Sequence, residues 1–282
     1  MHSRDIILNL FIYFCNMSIV KAKKNLGQHF LKDQNIARKI TDSLLPVTRE
    51  ILEIGPGMGV LTRHLLANKQ FAVRAIDIDQ ESIDYLHAEL PDFRDQILYG
   101  DFLKMDLSAF YTMPFSVIGN LPYNISSQIF FRIIEHRQLI PQVVCMIQKE
   151  VAERVSAPYG NKTYGILSIF LQAFYDIEYL FTVSEKVFDP PPKVKSAVIR
   201  LLRNSREKLD CEEKLFFQTV KTGFNQRRKT LRNSIRSSGP PGFESDDLNL
   251  RPEQLSVDDF ILLCQQISYA RQNTPPALSV NP

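Results

Sequence analysis

Five apolar runs, EILEIG, AVRAIDI, QILYG, FSVIG and QVVCMI, are separated by segments in which Leu and Ile recur at helical spacing. That alternation is the strongest constraint on what this chain can fold into. Strands joined through helices rather than tight turns pair in parallel, and a parallel sheet needs apolar cover on both faces. The expected fold is α/β, a mostly parallel sheet with helices on both faces. FYDIEYLFTV and SAVIRLL follow with only a Pro-rich loop between them, which suits a hairpin added to the sheet edge. Beyond Arg203 the pattern turns helical: EKLFFQTVKTGF is strongly periodic and 237–247 is a loop by composition. Ser256 and Asp259 then form a capping-box pattern that opens a last helix.

The expected division is a sheet domain over 20–203 and a small helical domain over 204–270. Residues 1–19 form an extension outside the fold, and 271–282 a tail that is disordered by composition. The stretch IILNLFIYFC is too short for a membrane helix and contains Asn9, and its flanks lack the marks of a signal peptide. No membrane partner is expected. Cys15, Cys145, Cys211 and Cys264 are dispersed without a CxxC pair, which argues against a metal site or a disulfide framework and favours the cytoplasm. The net charge of +3 hides an asymmetry: residues 193–236 hold thirteen Lys and Arg against four Asp and Glu. A basic C-terminal third on a mildly acidic body suggests a phosphate-rich partner.

LEIGPGMGVLT sets Gly55, Gly57 and Gly59 between a strand and a helix, where glycine permits a sharp turn and close approach of a ligand. Asp77 ends the next strand, where its carboxylate can accept from ribose hydroxyls. Asp101, in GDFLKMD, ends the third strand and can accept from an adenine amino group; it equally fits a turn cap. The set points to an adenosine-containing cofactor, with S-adenosylmethionine and NAD both open on spacing alone.

IGNLPYNISS follows the fourth strand, with Ser126 expected to cap the next helix. Asn120 offers a side-chain carbonyl, and Pro122 leaves the Leu121 carbonyl able to point into the loop. Two acceptors held this way grip the hydrogens of an exocyclic amine and draw its lone pair out of ring conjugation toward an electrophilic methyl. Tyr123 adds a face on which a base can stack. No strong general base is required, and catalysis would be chiefly positioning.

At this point the chain resembles the small-subunit (16S) ribosomal RNA adenine N6,N6-dimethyltransferases, from about Val20 to Ile267. The matching stretches include KKNLGQHFLKD, EIGPGMGVLT, GNLPYNISSQIFF, MIQKEVAERV, VFDPPPKVKSAVIRL and FNQRRKTLRNSI. The resemblance implies a class I methyltransferase (Rossmann-like) sheet with a small helical C-terminal domain that docks on RNA. It implies S-adenosylmethionine as donor and two adjacent adenines near the 3′ end of small-subunit rRNA as acceptors, each dimethylated, with a part in subunit biogenesis. Carried over by motif, the cofactor contacts fall on His29, Leu31, Gly55, Gly57, Asp77, Asp101 and Asn120. The catalytic loop is Asn120, Leu121, Pro122 and Tyr123, with Phe188 as a second aromatic wall for a flipped adenine or, alternatively, core packing. The family more often has Asn where His29 stands and Glu where Asp77 stands.

Arg228, Arg232 and Arg236 recur every four residues and would share a helix face; with Arg227 and Lys229 they are the expected RNA contacts. No acidic residue interrupts their segment, so no local salt bridges are expected. Lys21, Lys23, Lys24 and Lys32 form a second basic cluster near the site entrance. The partner is then the small ribosomal subunit or its precursor, met by a monomer. Two rivals stand beside this reading: the related large-subunit RNA methyltransferases that confer macrolide resistance, and an assembly factor whose binding matters more than its chemistry.

Overall fold

The computed structural model describes residues 20–235, 240 and 242–273. The extension over 1–19, Arg236 and the chain beyond 273 lie outside the described residues. The strands are β1 Phe30–Leu31, β2 Glu50–Ile54, β3 Ala72–Asp77, β4 Ile97–Tyr99, β5 Phe115–Asn120, β6 Gln142–Gln148, β7 Tyr175–Val183, β8 Phe188–Asp189 and β9 Ser196–Arg203. Seven of them form one sheet in the order β4-β3-β2-β5-β6-β9-β7, while β1 and β8 pair separately, antiparallel. The pairs β3–β4, β2–β3, β2–β5 and β5–β6 are parallel, as the alternation of strands and helices predicts. The two late strands lie at the expected edge, β9 inside and β7 outermost.

β2, β5 and β6 are buried along most of their lengths, which is why they read as continuous apolar runs rather than alternating ones. From β2 the chain steps to β3 and β4 in one direction, and from β5 to β6 in the other. Right-handed crossovers made in opposite directions put their helices on opposite faces, and the reversal opens a crevice at the carboxyl ends of β2 and β5. These two strands approach closely there. A Cβ built on Gly119 would lie 2.5 Å from the Ile54 carbonyl oxygen, so only glycine lets β5 pass before it reaches Asn120.

Carboxylates set several helix starts. Asp33 accepts from Asn35 and Ile36 to cap Gln34–Thr41, and Asp79 caps Gln80–Glu89. The expected cap of Ser126 is corrected: helix Ser126–Glu135 has Ile125 at its N-cap, and the Ser126 hydroxyl donates back to the Tyr123 carbonyl at 3.3 Å.

The described chain divides into two compact units, one of 20–148 with 181–198 and one of 149–180 with 199–273. The second starts earlier in sequence than the expected boundary at 203. Helix Ile166–Gln172 packs with Glu213–Asn225, Phe170 meeting Phe217 edge-on at 4.6 Å between ring centroids. A contiguous reading of the sequence separates these helices because forty residues of strand and loop lie between them. The capping box is present: Asp259 accepts from the Ser256 amide at 2.8 Å and its own amide donates to the Ser256 hydroxyl. The helix it opens, Val257–Asn273, runs three residues into the expected tail. Among the described residues no helix is long and apolar enough to cross a membrane.

Candidate active site

The Gly-rich turn after β2 has positive φ at Gly55, Gly57 and Gly59, a conformation other residues adopt only under strain. A Cβ on Gly57 would press on the Phe30 ring at 2.9 Å, whereas one on Gly55 would meet nothing nearer than the Asn120 carbonyl at 4.0 Å. Gly55 therefore faces open space. That space is a cavity of about 220 Å³ whose walls include Gly55, Gly57, Asp77, Ile78, Asp101 and the Asn120–Ile125 loop. His29 and the segment before it complete the wall.

Asp77 is buried at the end of β3 and accepts from the Gly57 amide at 3.2 Å and the Asp79 amide at 2.9 Å. Burial pushes its carboxyl above the usual range, partly offset by those backbone donors. Asp101 does both things its sequence context allows. One oxygen accepts from the Leu103 amide at 3.0 Å as a turn cap, and the side chain still lines the cavity. Between the two carboxylates Ile78 remains 47 % exposed, an apolar wall with no protein cover. Two acceptors flanking an apolar face on a glycine turn match an adenosine moiety, so the residues present fit S-adenosylmethionine. Leu31 is buried in β1 and lines a smaller adjoining cavity with Glu53, Gly55 and Asn120.

Asn120 is held by the segment that crosses it. Its side-chain Nδ2 donates to the His29 carbonyl at 2.9 Å, which fixes the amide and leaves Oδ1 as the acceptor. The Leu121 amide donates to Met146 at 3.0 Å, anchoring the loop to β6, and among the described residues nothing donates to the Leu121 carbonyl. Tyr123 is tethered at its far end, its hydroxyl 2.6 Å from that of Ser196, and its ring lies 5.6 Å from the His29 ring. Phe188, by contrast, is only 1 % exposed and is not among the residues lining this cavity. Core packing, the alternative for Phe188, is what the structure has; its strand position opposite Leu31 turns the ring inward.

Glu53 is the residue that sequence reading missed. It sits fully buried inside the apolar run EILEIG, accepts from the Thr62 hydroxyl at 2.7 Å, and is pushed up to about 7 by burial. The only signal was an acid within a strand that otherwise reads as apolar core. Because its folded pKa is raised, its contribution to stability is full below the ordinary 4.5 and is lost as pH rises through about 7. Glu53→Gln is therefore expected to match the parent's melting temperature at pH 4 and exceed it at pH 8. Linkage sets a ceiling of roughly 3 kcal/mol on that gain. Thermal scans at the two pH values check this.

The basic residues are less free than their sequence suggested. Lys23 lies 2.5 Å from Asp79 and 3.1 Å from Glu81, so it ties the N-terminal segment down. Burial pushes the Asp79 carboxyl up, but donors from Gln28 and Lys23 outweigh it and hold the group below the usual carboxylate range. Lys21, Lys24 and Lys32 are exposed. In the second unit, helix Glu213–Asn225 stops before the arginines, and the next helix, Leu231–Ser234, is one turn long. Arg228 and Arg232 therefore do not share a continuous helix face. Arg232 makes a two-pronged pair with Glu244 at 2.8 and 2.7 Å, and Arg227 donates to the Lys162 carbonyl and lies 3.7 Å from Glu253. Glu244 comes from the following loop and Lys162 and Glu253 from farther away in the chain, so a search within the basic segment itself could not find them. Arg228 and Lys229 are exposed and, among the described residues, make no ion pair.

The family model for ribosomal RNA adenine dimethylases matches residues 19–264. The chain belongs to this family. A Cytophaga hutchinsonii protein, "Ribosomal RNA small subunit methyltransferase A", is 56 % identical over 256 residues, covering 89 % of this chain and 99 % of that one. The Bacteroides thetaiotaomicron protein of the same name is 55 % identical over 90 % of this chain and 97 % of its own. Among solved structures, a dimethyladenosine transferase from Plasmodium falciparum superposes with a TM-score of 0.72 at 26 % identity, covering 86 % of this chain and 98 % of that one. The 23S rRNA methyltransferase ErmE gives 0.63 at 25 % identity, covering 85 % and 99 %. The enzyme is an S-adenosylmethionine-dependent rRNA adenine methyltransferase of the class I fold. NAD, left open by spacing, is set aside.

Proposed function

We propose that the enzyme dimethylates N6 of two adjacent adenines near the 3′ end of small-subunit rRNA, on the subunit or its precursor in the cytoplasm, and acts as a monomer. The observation that carries the chemistry is the Asn120 amide, held through Nδ2 by the His29 carbonyl so that Oδ1 is presented as an acceptor. Curated relatives at 55–56 % identity carry the small-subunit name, whereas the large-subunit enzyme stands at 25 %. That difference favours the small-subunit target over the macrolide-resistance reading. Free thiols at Cys145, Cys211 and Cys264 support a reducing compartment.

Bound S-adenosylmethionine supplies an electrophilic methyl on a sulfonium sulfur. Asp77 holds the ribose hydroxyls, Asp101 the adenine amino group, and Ile78 packs on the purine. Gly55 admits the cofactor against the backbone, Gly57 holds Asp77 in place through its amide, and Leu31 closes the adjoining apolar wall. On the acceptor side Asn120 Oδ1 and the Leu121 carbonyl take the two amine hydrogens of the target adenine, turning its lone pair toward the methyl. Pro122 fixes the Leu121 backbone and Tyr123 stacks on the base, worth roughly 1–3 kcal/mol in comparable systems. The nitrogen becomes acidic as it is alkylated, so its proton passes to solvent without a dedicated base. After one methyl, one hydrogen remains for one acceptor, and the same geometry serves the second transfer.

Docking on RNA falls to Arg228 and Lys229 with the exposed lysines of the N-terminal segment, while Arg227 and Arg232 first hold their own loops. Reversing Arg228 and Lys229 to Glu is expected to weaken particle binding and reduce its salt slope by about 2, with cofactor affinity unchanged. Arg232→Glu should instead lower the melting temperature by breaking the pair with Glu244. Filter binding to small-subunit particles across a salt series checks the first, and a thermal scan the second. The experiment that tests the target itself is primer extension along the 3′ end of small-subunit rRNA after incubation with enzyme and cofactor. Paired stops at adjacent adenines are expected, and their absence with active enzyme would place the target elsewhere.

A further inference from the structure

His29 touches three separate segments of the site. Its main-chain oxygen accepts from Asn120 Nδ2 at 2.9 Å, its ring flanks Tyr123 at 5.6 Å with a 31° tilt, and its Nδ1 lies 2.7 Å from the Pro190 carbonyl oxygen. A carbonyl only accepts, so Nδ1 carries the proton and donates. The contact continues the β1–β8 ladder, since His29 directly precedes Phe30, whose partner Asp189 directly precedes Pro190. Where the backbone pairing ends, the imidazole supplies one more rung.

The consequence is mechanical. Asn120 is oriented only as well as the His29 carbonyl is placed. That carbonyl lies between Gln28, whose side chain donates to Asp79 at 2.8 Å, and the β1–β8 ladder, and the His29 bond to Pro190 adds a hold at the residue itself. Tyr123 is fixed at its hydroxyl by Ser196 and bounded at its ring by the same imidazole. The Pro-rich loop, the stacking tyrosine and the catalytic amide are thus tied through one residue. An asparagine side chain lacks the ring that flanks Tyr123. We infer that His29 is a positioning residue for the acceptor adenine, tying the Pro190 loop to Asn120 and Tyr123, rather than a side-chain ligand of the cofactor. This rests on the proposed reading of Asn120 and Tyr123 and adds a residue that acts through them.

The test compares parent, His29→Phe and His29→Gln. Phe keeps a ring beside Tyr123 and removes the donor; Gln restores a donor able to reach the Pro190 carbonyl. Calorimetry of S-adenosylmethionine, with no acceptor present, is expected to give dissociation constants within about 3-fold for all three. Single-turnover methylation at saturating cofactor should fall roughly 10- to 100-fold for the Phe variant, as expected when reacting groups are displaced by a fraction of an ångström. It should recover partly for the Gln variant, with melting temperatures alike. Cofactor affinity lost 10-fold with an unchanged single-turnover rate would overturn the inference and make His29 a cofactor ligand. A Phe variant equal to the parent in both measurements would also overturn it. So would a nitrogen-15 spectrum of the parent in which no histidine Nδ1 proton is protected from exchange, a readout that needs no activity. A parent that binds cofactor but methylates no small-subunit particle is a failure of the proposed function instead, and it appears in the parent alone.

Discussion

Replacing Asn120 by Ala is expected to lower methyl transfer to rRNA by roughly 10²–10³-fold, the scale on which loss of one preorganised polar group reduces catalysis. The Ala variant loses the acceptor for one amine hydrogen and the donor that meets the His29 carbonyl at 2.9 Å. Asn120→Asp is the more informative isostere. It retains two acceptors but sets one against the His29 carbonyl, so the side chain is repelled from the position the amide holds. It should therefore be nearly as impaired as Ala. Particle binding should change little in either variant, because phosphate contacts dominate that affinity. Transfer rates at saturating cofactor, measured beside filter binding to particles, check both halves of the expectation.

The second large effect is structural. Gly119→Ala would put a methyl 2.5 Å from the Ile54 carbonyl oxygen and 3.3 Å from the Leu121 side chain. The first obstacle is backbone of the central strand, so β2 and β5 must part at their carboxyl ends. Overpacking of this kind costs about 1–3 kcal/mol, occasionally more. For a domain of this size that corresponds to a drop of roughly 3–10 °C in melting temperature. Activity should fall further than the folded fraction alone explains, because Asn120 is the next residue and Gly55 follows Ile54. Thermal unfolding together with transfer rates at a temperature where both proteins are folded would separate the two effects.

The parallel sheet was legible because its strands are buried on both faces and so appear as unbroken apolar runs such as FSVIG and QVVCMI. The glycine turn and Asp77 were legible for a related reason: a strand end followed by glycines has few other uses. What escaped depends on contacts between residues far apart in the chain. Arg232 looked unpaired until Glu244 arrived from the following loop, and Lys23 until Asp79 and Glu81 came alongside. Glu53 was hidden by its apolar neighbours, although an acid in a buried strand is itself a signal of pairing or function. For Phe188, type and motif allowed either a wall or a core position, and only its burial away from the cavity decided between them. The expected cap at Ser126 failed because the helix begins one residue earlier than such a cap requires, with Ser126 as its first residue and Ile125 at its N-cap.

The most direct test of the account is nucleoside mass spectrometry of small-subunit particles treated with enzyme and methyl-labelled S-adenosylmethionine, parent beside Asn120→Ala. The account predicts label in N6,N6-dimethyladenosine at two adjacent positions near the 3′ end of the small-subunit rRNA, and almost none with the variant. Label in another nucleoside, label confined to the large subunit, or equal labelling by Asn120→Ala would contradict it.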